Sequence, residues 1–434
     1  MVGGQPTIAT FARALLGDDL PIAVEAYDGS RHGPAPATTR LVVRTPDALR
    51  HVVTAPGELG LARAYVAGDL DVEGDIFEVL SLRDRLPNPK LTPTQWALAA
   101  RLLAGAGLRR PTVPPEEARV RGRLHSRRRD ATAVTHHYDV SNAFYRLVLG
   151  PSMTYSCALF PDERSTLEEA QEAKTDLVCR KLGLRPGLRL LDVGCGWGSL
   201  VLHAARDYGV SAVGVTLSGE QAELARRRVA AAGLGDRVEI RVQDYREVAD
   251  GPFDAISSVG MFEHVGRARA AAYFVHLHGL LAPGGRLLNQ AIARPPAKRT
   301  RVPSRSFVGR YVFPDGEMLE VGDTVSLLQA AGFEARHVES LREHYARTLR
   351  AWVASLEASW DAAVAEVGVA RARVWRLYMA GCALGFEAGR TSVHQVLAVR
   401  PTTTGESHLP ARPDWEVRTT PASAPEVVPA PARR

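Results

Sequence analysis

Residues 190–200 read LLDVGCGWGSL, and in this run Gly194, Gly196 and Gly198 are spaced to let the backbone turn sharply and lie against a ligand with no Cβ in between. The chemistry that suits such a turn is the binding of a nucleotide-like molecule. Asp192 stands before the first glycine, and the next strand-like run, SAVGVTLS, closes without the Asp or Glu that holds ribose hydroxyls in dinucleotide-binding folds. This favours S-adenosylmethionine, a zwitterionic amino acid on a nucleoside with no pyrophosphate to cradle, over NAD. A GxGxxG run by itself also fits a dinucleotide site or a turn with no ligand.

A turn of this kind is useful only at the carboxyl end of a strand, so the elements around it matter. Leu190, Leu191 and Val193 supply that strand. From Thr135 onward, strand-like runs at Arg189 to Val193, Ala212 to Thr216, Val238 to Val242, Ala255 to Val259 and Arg286 to Ile292 are separated largely by helical stretches, which predicts a doubly wound, largely parallel α/β sheet. Arg294 to Arg310 is basic and proline-broken, and Ala351 to Val367 carries apolar residues at helical spacing. Residues 294–385 therefore read as a lid ahead of a last strand at Val393 to Val399. The expected organisation begins with a small N-terminal α/β domain over 1–106, with a strand-like run at Thr39 to Thr45 and a Gly- and Asp-rich stretch at Ala64 to Asp75. A basic, proline-bearing linker follows over 107–130, then a catalytic domain over 131–400 and a disordered Pro/Ala/Thr-rich tail over 401–434.

At 434 residues, 45% of them hydrophobic, the chain has room for two domains and the composition of a soluble globular protein. No apolar run approaches the ~20 residues needed to span a bilayer, and the N-terminus lacks a signal-peptide layout, so a cytoplasmic location is expected. Cys157, Cys179, Cys195 and Cys382 are scattered without metal-ligand spacing, and reduced thiols with no metal site are expected. The net charge is +6, and arginines cluster twice: from Arg109 through Arg119, Arg121, Arg123, Arg127, Arg128 and Arg129, and over Arg294, Lys298, Arg299, Arg301, Arg305 and Arg310. Such clusters are either solvated linkers or contacts to anionic lipid headgroups. No aromatic residues interleave with them, which argues against nucleic acid.

Six motifs together resemble the cyclopropane-fatty-acyl-phospholipid synthase family, mycolic acid cyclopropane synthases included. They are HHYDVSNAFYRLVLGPSMTYSCALF at His136 to Phe160, VTLSGEQ at Val215 to Gln221, SVGMFEHVG at Ser258 to Gly266, YVFPDGEM at Tyr311 to Met318, HYARTLRAW at His344 to Trp352, and GF-x-x-GR at Gly385 to Arg390. The resemblance covers residues 131–400 and extends more weakly to the N-terminal unit, through AYVAGDLD. It implies a Rossmann-like class I S-adenosylmethionine methyltransferase sheet with a helical lid. The implied reaction adds a methyl(ene) carbon to the cis double bond of an unsaturated acyl chain in phospholipid, at the inner face of the membrane. It further implies that Tyr155 and Ser156 stand beside the methionine end of the cofactor, with Gly194 and Gly196 under it. Thr216 and Gln221 then bind the ribose, and Asp244 and Tyr245 meet the adenine. Thr216 and Ser218 also fit a strand end followed by a helix N-cap.

The family's reaction sets further demands. An isolated alkene is a poor nucleophile, and taking up the methyl leaves a carbocation on the acyl chain, so the site must be apolar and dry. A base must then remove one proton. In the family that base resembles a bicarbonate held by a Cys backbone, a Glu, a His, an Ile backbone and a Tyr. The matching residues are Cys157, Glu263, Gln290, Ile292 and Tyr345, of which Gln290 departs from the pattern. An amide donates a hydrogen bond to an anion but cannot take up and pass on a proton as imidazole does. Two arrangements stay open: an anion oriented by Glu263, or Glu263 taking the proton directly. His264 reads as structural. Tyr311, Phe313, Trp352, Trp360 and Phe386 are candidates for an acyl channel or for ordinary core. Proton loss from the bridging methyl gives a cyclopropane; a prior hydride shift gives a methylene branch, a product that implies a separate reductase as partner. A small-molecule N-methyltransferase is disfavoured by Cys157, Glu263 and Tyr345 occurring together, and a non-catalytic lipid-binding protein by the intact glycine turn. Residues 1–106 are a candidate homodimer contact.

Overall fold

The structure is a computed structural model and describes residues 6–85, 91–104, 109–118, 141–296, 306–313 and 316–415. Near the N-terminus, β1 (Ala23–Ala26), β2 (Arg31–His32), β3 (Arg40–Val43) and β4 (Leu70–Glu73) pair in the order β2-β1-β3-β4. β1 and β3 run parallel and the remaining pairs antiparallel. Helices Ile8–Leu16, Asp47–Thr54 and Pro93–Ala104 close a core around Ile22, Val24, Leu49 and Ala99. The strand-like run at 39–45 holds β3. The Gly- and Asp-rich stretch divides between the end of helix Glu58–Ala67 and β4.

The larger sheet contains β5 (Arg189–Val193), β6 (Ser211–Thr216), β7 (Val238–Val242), β8 (Phe253–Val259), β9 (Leu281–Ala293), β10 (Glu334–Ser340) and β11 (Ser392–Val399). Their order is β10-β11-β9-β8-β5-β6-β7, with β5 to β9 parallel and β11 antiparallel to both its neighbours. β5 and β8 are buried almost throughout, as strands covered on both faces must be, with Asp192, Ser257 and Ser258 as polar residues taken inside. From β5 the chain runs outward through β6 and β7, then returns to β8 on the other side of β5. Where strand order reverses in this way, the carboxyl ends of the strands part to leave a crevice.

β10 is the strand the sequence does not announce, since it lies inside the segment read as lid. As an edge strand its less exposed positions include Ala335, His337 and Glu339, so the alternation carries no apolar signal. The cover is accordingly split. Helices Arg342–Ala358, Trp360–Val367 and Val369–Glu387 pack over the site, whereas helix Val321–Ala330 and β10 belong to the layers of the sheet. The tail also departs from expectation, because residues 401–415 continue to pack. The Trp415 ring lies 4.5 Å from that of His337, and Lys181 Nζ sits 5.8 Å from its centroid. Residues 416–434 lie outside the described residues, as do Arg119 to Arg129 of the first arginine cluster and Lys298, Arg299, Arg301 and Arg305 of the second.

The two sheets share a core. Leu59, Tyr65, Val66 and Ile76 of the N-terminal unit pack in one cluster with Phe144, Trp352, Trp375 and Met379. Arg376, buried in this joint, donates to Tyr65 Oη (3.2 Å) and to the carbonyls of Val72 (3.3 Å) and Gly74 (3.1 Å), and pairs with Glu357 at 2.6 Å.

Candidate active site

The glycine turn is pinned to the end of β6 by the N–H groups of Gly194 and Cys195, which donate to the Val215 carbonyl at 2.9 and 3.0 Å. Gly194 has φ +83°, where a side chain is strained, and a Cβ there would come within 3.2 Å of Met261 Cβ. A pocket opens against this turn. Its lining includes Tyr155, Ser156, Asp192, Gly194, Gly196, Thr216, Gln221, Asp244 and Tyr245, together with Met261 and His264. At the end of β6, the Thr216 hydroxyl donates to Gln221 Oε1 at 2.9 Å and accepts from Ser218 N at 3.2 Å. Ser218 caps helix Gly219–Ala231, so that stretch both starts a helix and faces the pocket. Beyond β7, Asp244 pairs with Arg246, whose guanidinium lies 5.5 Å from the Tyr245 ring centroid. Tyr245 in turn meets Tyr273 edge to face at 4.9 Å.

Sequence reasoning missed a buried cation in this pocket. Lys174, on helix Leu167–Leu182, lines it and donates to Ser156 Oγ at 3.0 Å. Burial pulls its pKa down to about 8. Burial likewise pushes Asp192 up to about 6, a rise held back by the Ser257 hydroxyl, which donates to Asp192 Oδ1 at 2.7 Å, and by the charge of Lys174. A signal was available: Gln171, Lys174, Thr175 and Lys181 are polar residues on the same helical stripe as Val178 and Leu182, and all are buried.

Of the five residues matched to the proton-removing group, none lines this pocket itself; Glu263 and Ile292 are in direct contact, and the others connect to them through the backbone of Leu341, Val393 and β9. Glu263 follows the end of β8; its Oε1 accepts from Ile292 N at 2.7 Å, while its Oε2 is buried without a hydrogen-bond partner among the described residues. Desolvation pushes this carboxyl up to about 7, against the opposing hydrogen bond from Ile292. The Cys157 thiol donates to the Ala158 carbonyl at 3.1 Å and the Leu341 carbonyl at 3.6 Å, and burial pushes its pKa up. The Leu341 carbonyl also receives Tyr345 N at 3.0 Å, and Leu341 N reaches the carbonyl of Val393, which lies opposite Ile292 in the sheet. The Tyr345 ring packs on Phe386 at 4.7 Å. Gln290 sits two residues before Ile292, hence on the same face of β9, and is 2% exposed. Its Oε1 accepts from Gln395 Nε2 at 2.9 Å.

His264 is driven by burial to a pKa of about 4, so it is neutral at ordinary pH, and its ring lies 5.7 Å from that of Phe313. Of the channel candidates, Tyr311, Trp352 and Phe386 are buried in one cluster, with Phe313 and Trp360 at its margin. Tyr155 connects the two regions: it lines the pocket, and its ring lies 5.2 Å from Trp352 and 5.8 Å from Trp375.

A nucleoside with an amino-acid tail fits a turn that a Cβ at position 194 would fill, with a buried ammonium and carboxyl beneath it. A reversal of strand order beside such a turn is shared by doubly wound α/β folds in general; the family profile and the solved structures that match this chain are those of class I S-adenosylmethionine-dependent methyltransferases, and this protein is an enzyme of that class. More narrowly, the chain belongs to the mycolic acid cyclopropane synthetase family, whose profile matches residues 125–396. It is 46% identical over 407 residues to a probable fatty acid methyltransferase of Mycobacterium tuberculosis, covering 91% of this chain and 95% of that one. It is 34% identical over 370 residues to the cyclopropane-fatty-acyl-phospholipid synthase of Escherichia coli, covering 85% of this chain and 89% of that one. The crystal structure of mycolic acid cyclopropane synthase CmaA1, complexed with SAH and CTAB, superposes with a TM-score of 0.58 at 37% identity, over 62% of this chain and 97% of that one.

Proposed function

We propose that this enzyme adds a one-carbon unit to the cis double bond of unsaturated acyl chains in phospholipids, giving cyclopropane fatty acyl groups. The observation that carries this reading is Glu263, a carboxyl with one oxygen fixed, the other buried and without a partner among the described residues, and a pKa of about 7, in the turn whose Met261 and His264 line the pocket. Tyr155, Ser156 and Lys174 take the methionine end of the cofactor, Thr216 and Gln221 the ribose, and Asp244 and Tyr245 the adenine. When bound, S-adenosylmethionine supplies an electrophilic methyl group that the alkene takes up, leaving positive charge on the acyl chain. The cover formed by Tyr155, Trp352, Trp375 and their neighbours excludes water, which would otherwise trap that cation. Glu263 accepts a proton from the added carbon, and the electrons of the broken C–H bond close the ring. Of the five matched residues, it is the one with a proton affinity matched to neutral pH.

One observation favours a second product. Gln290 stands where an imidazole would relay a proton, and slower proton removal gives a hydride time to shift, so that the proton lost leaves a methylene branch for a separate reductase to use. S-adenosylmethionine carrying a CD3 group, incubated with oleoyl phosphatidylglycerol vesicles, decides between them. Loss of one deuterium with a ring supports the first product, and loss of one with an exocyclic alkene supports the second. No label in lipid overturns both and points to a small-molecule methyltransferase.

The arginine clusters suit anionic headgroups at the inner membrane face, and no helix among the described residues is long and apolar enough to cross a membrane. Binding to phosphatidylglycerol vesicles should weaken steeply with salt. Equal binding to neutral vesicles at high salt would refute the electrostatic part. Residues 1–106 are the proposed homodimer contact; sedimentation of the full chain as a monomer would overturn it, and a dimer that persists without residues 1–106 would move the contact elsewhere.

A further inference from the structure

Gln290 is not alone in the sheet. Gln395 lies directly opposite it on β11, is fully buried, and donates from Nε2 to Gln290 Oε1 at 2.9 Å. Gln395 Oε1 in turn accepts from Lys181 Nζ at 2.7 Å. Lys181 is itself fully buried on helix Leu167–Leu182, ion-paired with Glu339 of β10 and overlaid by the Trp415 ring.

An ammonium group has three donors and no acceptor. Gln395 must therefore turn its oxygen to Lys181, which sends its N–H groups to Gln290. Gln290 must then receive with its oxygen, leaving its own Nε2 facing away from Gln395. That nitrogen makes no hydrogen bond among the described residues. Reversing either amide alone sets N–H against N–H or C=O against C=O between two side chains that are 2% exposed or less, where such a mismatch is costly. The charge of Lys181 thus fixes the polarity of two amides in series.

We propose that Lys181 and Gln395 are positioning residues that hold Gln290 as a permanent hydrogen-bond donor toward the site where Glu263 takes the proton. The inference rests on the proposed function, since it assigns a role within that step. It also explains how a glutamine serves where an imidazole would stand. A histidine there could switch between donor and acceptor, whereas this chain gains a donor whose direction is set by a cation outside the pocket lining. The donor stabilises negative charge at that site, whether on the Glu263 carboxylate or on a small anion beside it. β10 and the segment ending at Trp415, neither of which touches the pocket, acquire a purpose in holding Lys181.

The decisive variant is Gln395→Glu, which keeps size and shape but accepts on both sides. Lys181 is still satisfied, while Gln290 must now turn its Nε2 toward residue 395 and present its oxygen to the site. Two readouts are needed: the side-chain amide resonance of Gln290 in 15N spectra, assigned by its loss in Gln290→His, and lipid turnover with the kcat and KM split. The expected result is a shifted Gln290 amide signal, unchanged affinity for S-adenosylmethionine, and a fall in kcat of about a hundred-fold, the usual scale for losing one donor to a developing charge. Adding Gln290→His to Gln395→Glu should recover part of kcat, because an imidazolium donates in both directions.

A shifted amide with unchanged kcat would overturn the role of the donor, and an unshifted amide would overturn the relay. If Gln395→Glu loses cofactor affinity, Gln395→Leu replaces it: Gln290 is then free to turn, and retention of full kcat overturns the proposal. The amide readout needs no turnover. Failure of the wild type to modify lipid, together with a shifted amide, therefore counts against the proposed function rather than the relay.

Discussion

In the proposed mechanism Gly194 and Glu263 divide the site between them, one admitting the cofactor and the other handling the proton. At Gly194, φ +83° and a Met261 Cβ at 3.2 Å leave no relaxed place for a methyl group. Left-handed backbone costs a side-chain-bearing residue roughly 1–2 kcal/mol, so Gly194→Ala should weaken S-adenosylmethionine binding by about ten-fold or more in calorimetry. Glu263 predicts a pH profile. Its folded pKa is raised to about 7, so the ionised, proton-accepting form gains population as pH rises, and kcat should climb through that value and then level. Glu263→Gln should cost about 10²- to 10⁴-fold in kcat and abolish the climb. Running both proteins in carbon dioxide-free buffer separates the base from its surroundings. An unchanged wild-type rate assigns the proton to Glu263 alone, and a rate restored by added bicarbonate places that anion beside it. The residues of these roles were legible because they sit in contiguous motifs. Lys174 and Lys181 left only the weaker trace of polar residues on an otherwise apolar helical stripe, and Gln395 left none, because its meaning comes from partners distant in sequence.

At the scale of elements, what could be read followed burial. β5, β8 and β11 lie inside the sheet and each carries enough apolar residues for its position to be read in the sequence. β10 is hidden because its inward side chains serve Lys181 and Trp415 instead of an apolar layer. The joint between the sheets is hidden for a related reason. Arg376 looks like one more arginine in a helix, yet its guanidinium fills a socket of Tyr65 Oη and two carbonyls beside Glu357. Removing a buried charge while leaving its acceptors in place typically costs about 3–5 kcal/mol. Glu357 is partly exposed and softens that loss, so Arg376→Met should destabilise by about 2–3 kcal/mol in denaturant unfolding, near the lower bound. A change below ~0.5 kcal/mol, the range of an ordinary surface substitution, would mean that the joint is held by its apolar packing alone.

For the molecule as a whole, an apolar site that must hold ionisable groups leaves a mark on stability. Asp192 and Glu263 keep their protons in the folded state to about pH 6 and 7, against ordinary values of 3.8 and 4.5. Between the ordinary and the raised value the folded chain binds protons that the unfolded chain has released. Their contribution is therefore full below about pH 4 and is lost as pH rises through 6 and 7. Lys174 has the opposite sign: its pKa is lowered from 10.5 to about 8, so above pH 8 the unfolded chain holds the extra proton and stability recovers. The acid-side gain competes with the carboxylates whose pKa values are lowered by ion pairs and hydrogen bonds, such as Asp28, Asp47 and Asp250, so the separate signs emerge only by difference. Wild type and Glu263→Gln, unfolded by denaturant at pH 5.5 and 8.0, isolate the Glu263 part. Wild type should lose stability relative to the variant as pH rises, because the amide has no proton to give up. A difference that stays constant across that interval would mean that Glu263 is solvated in the folded protein, and the dry site required by a carbocation would lose its main support.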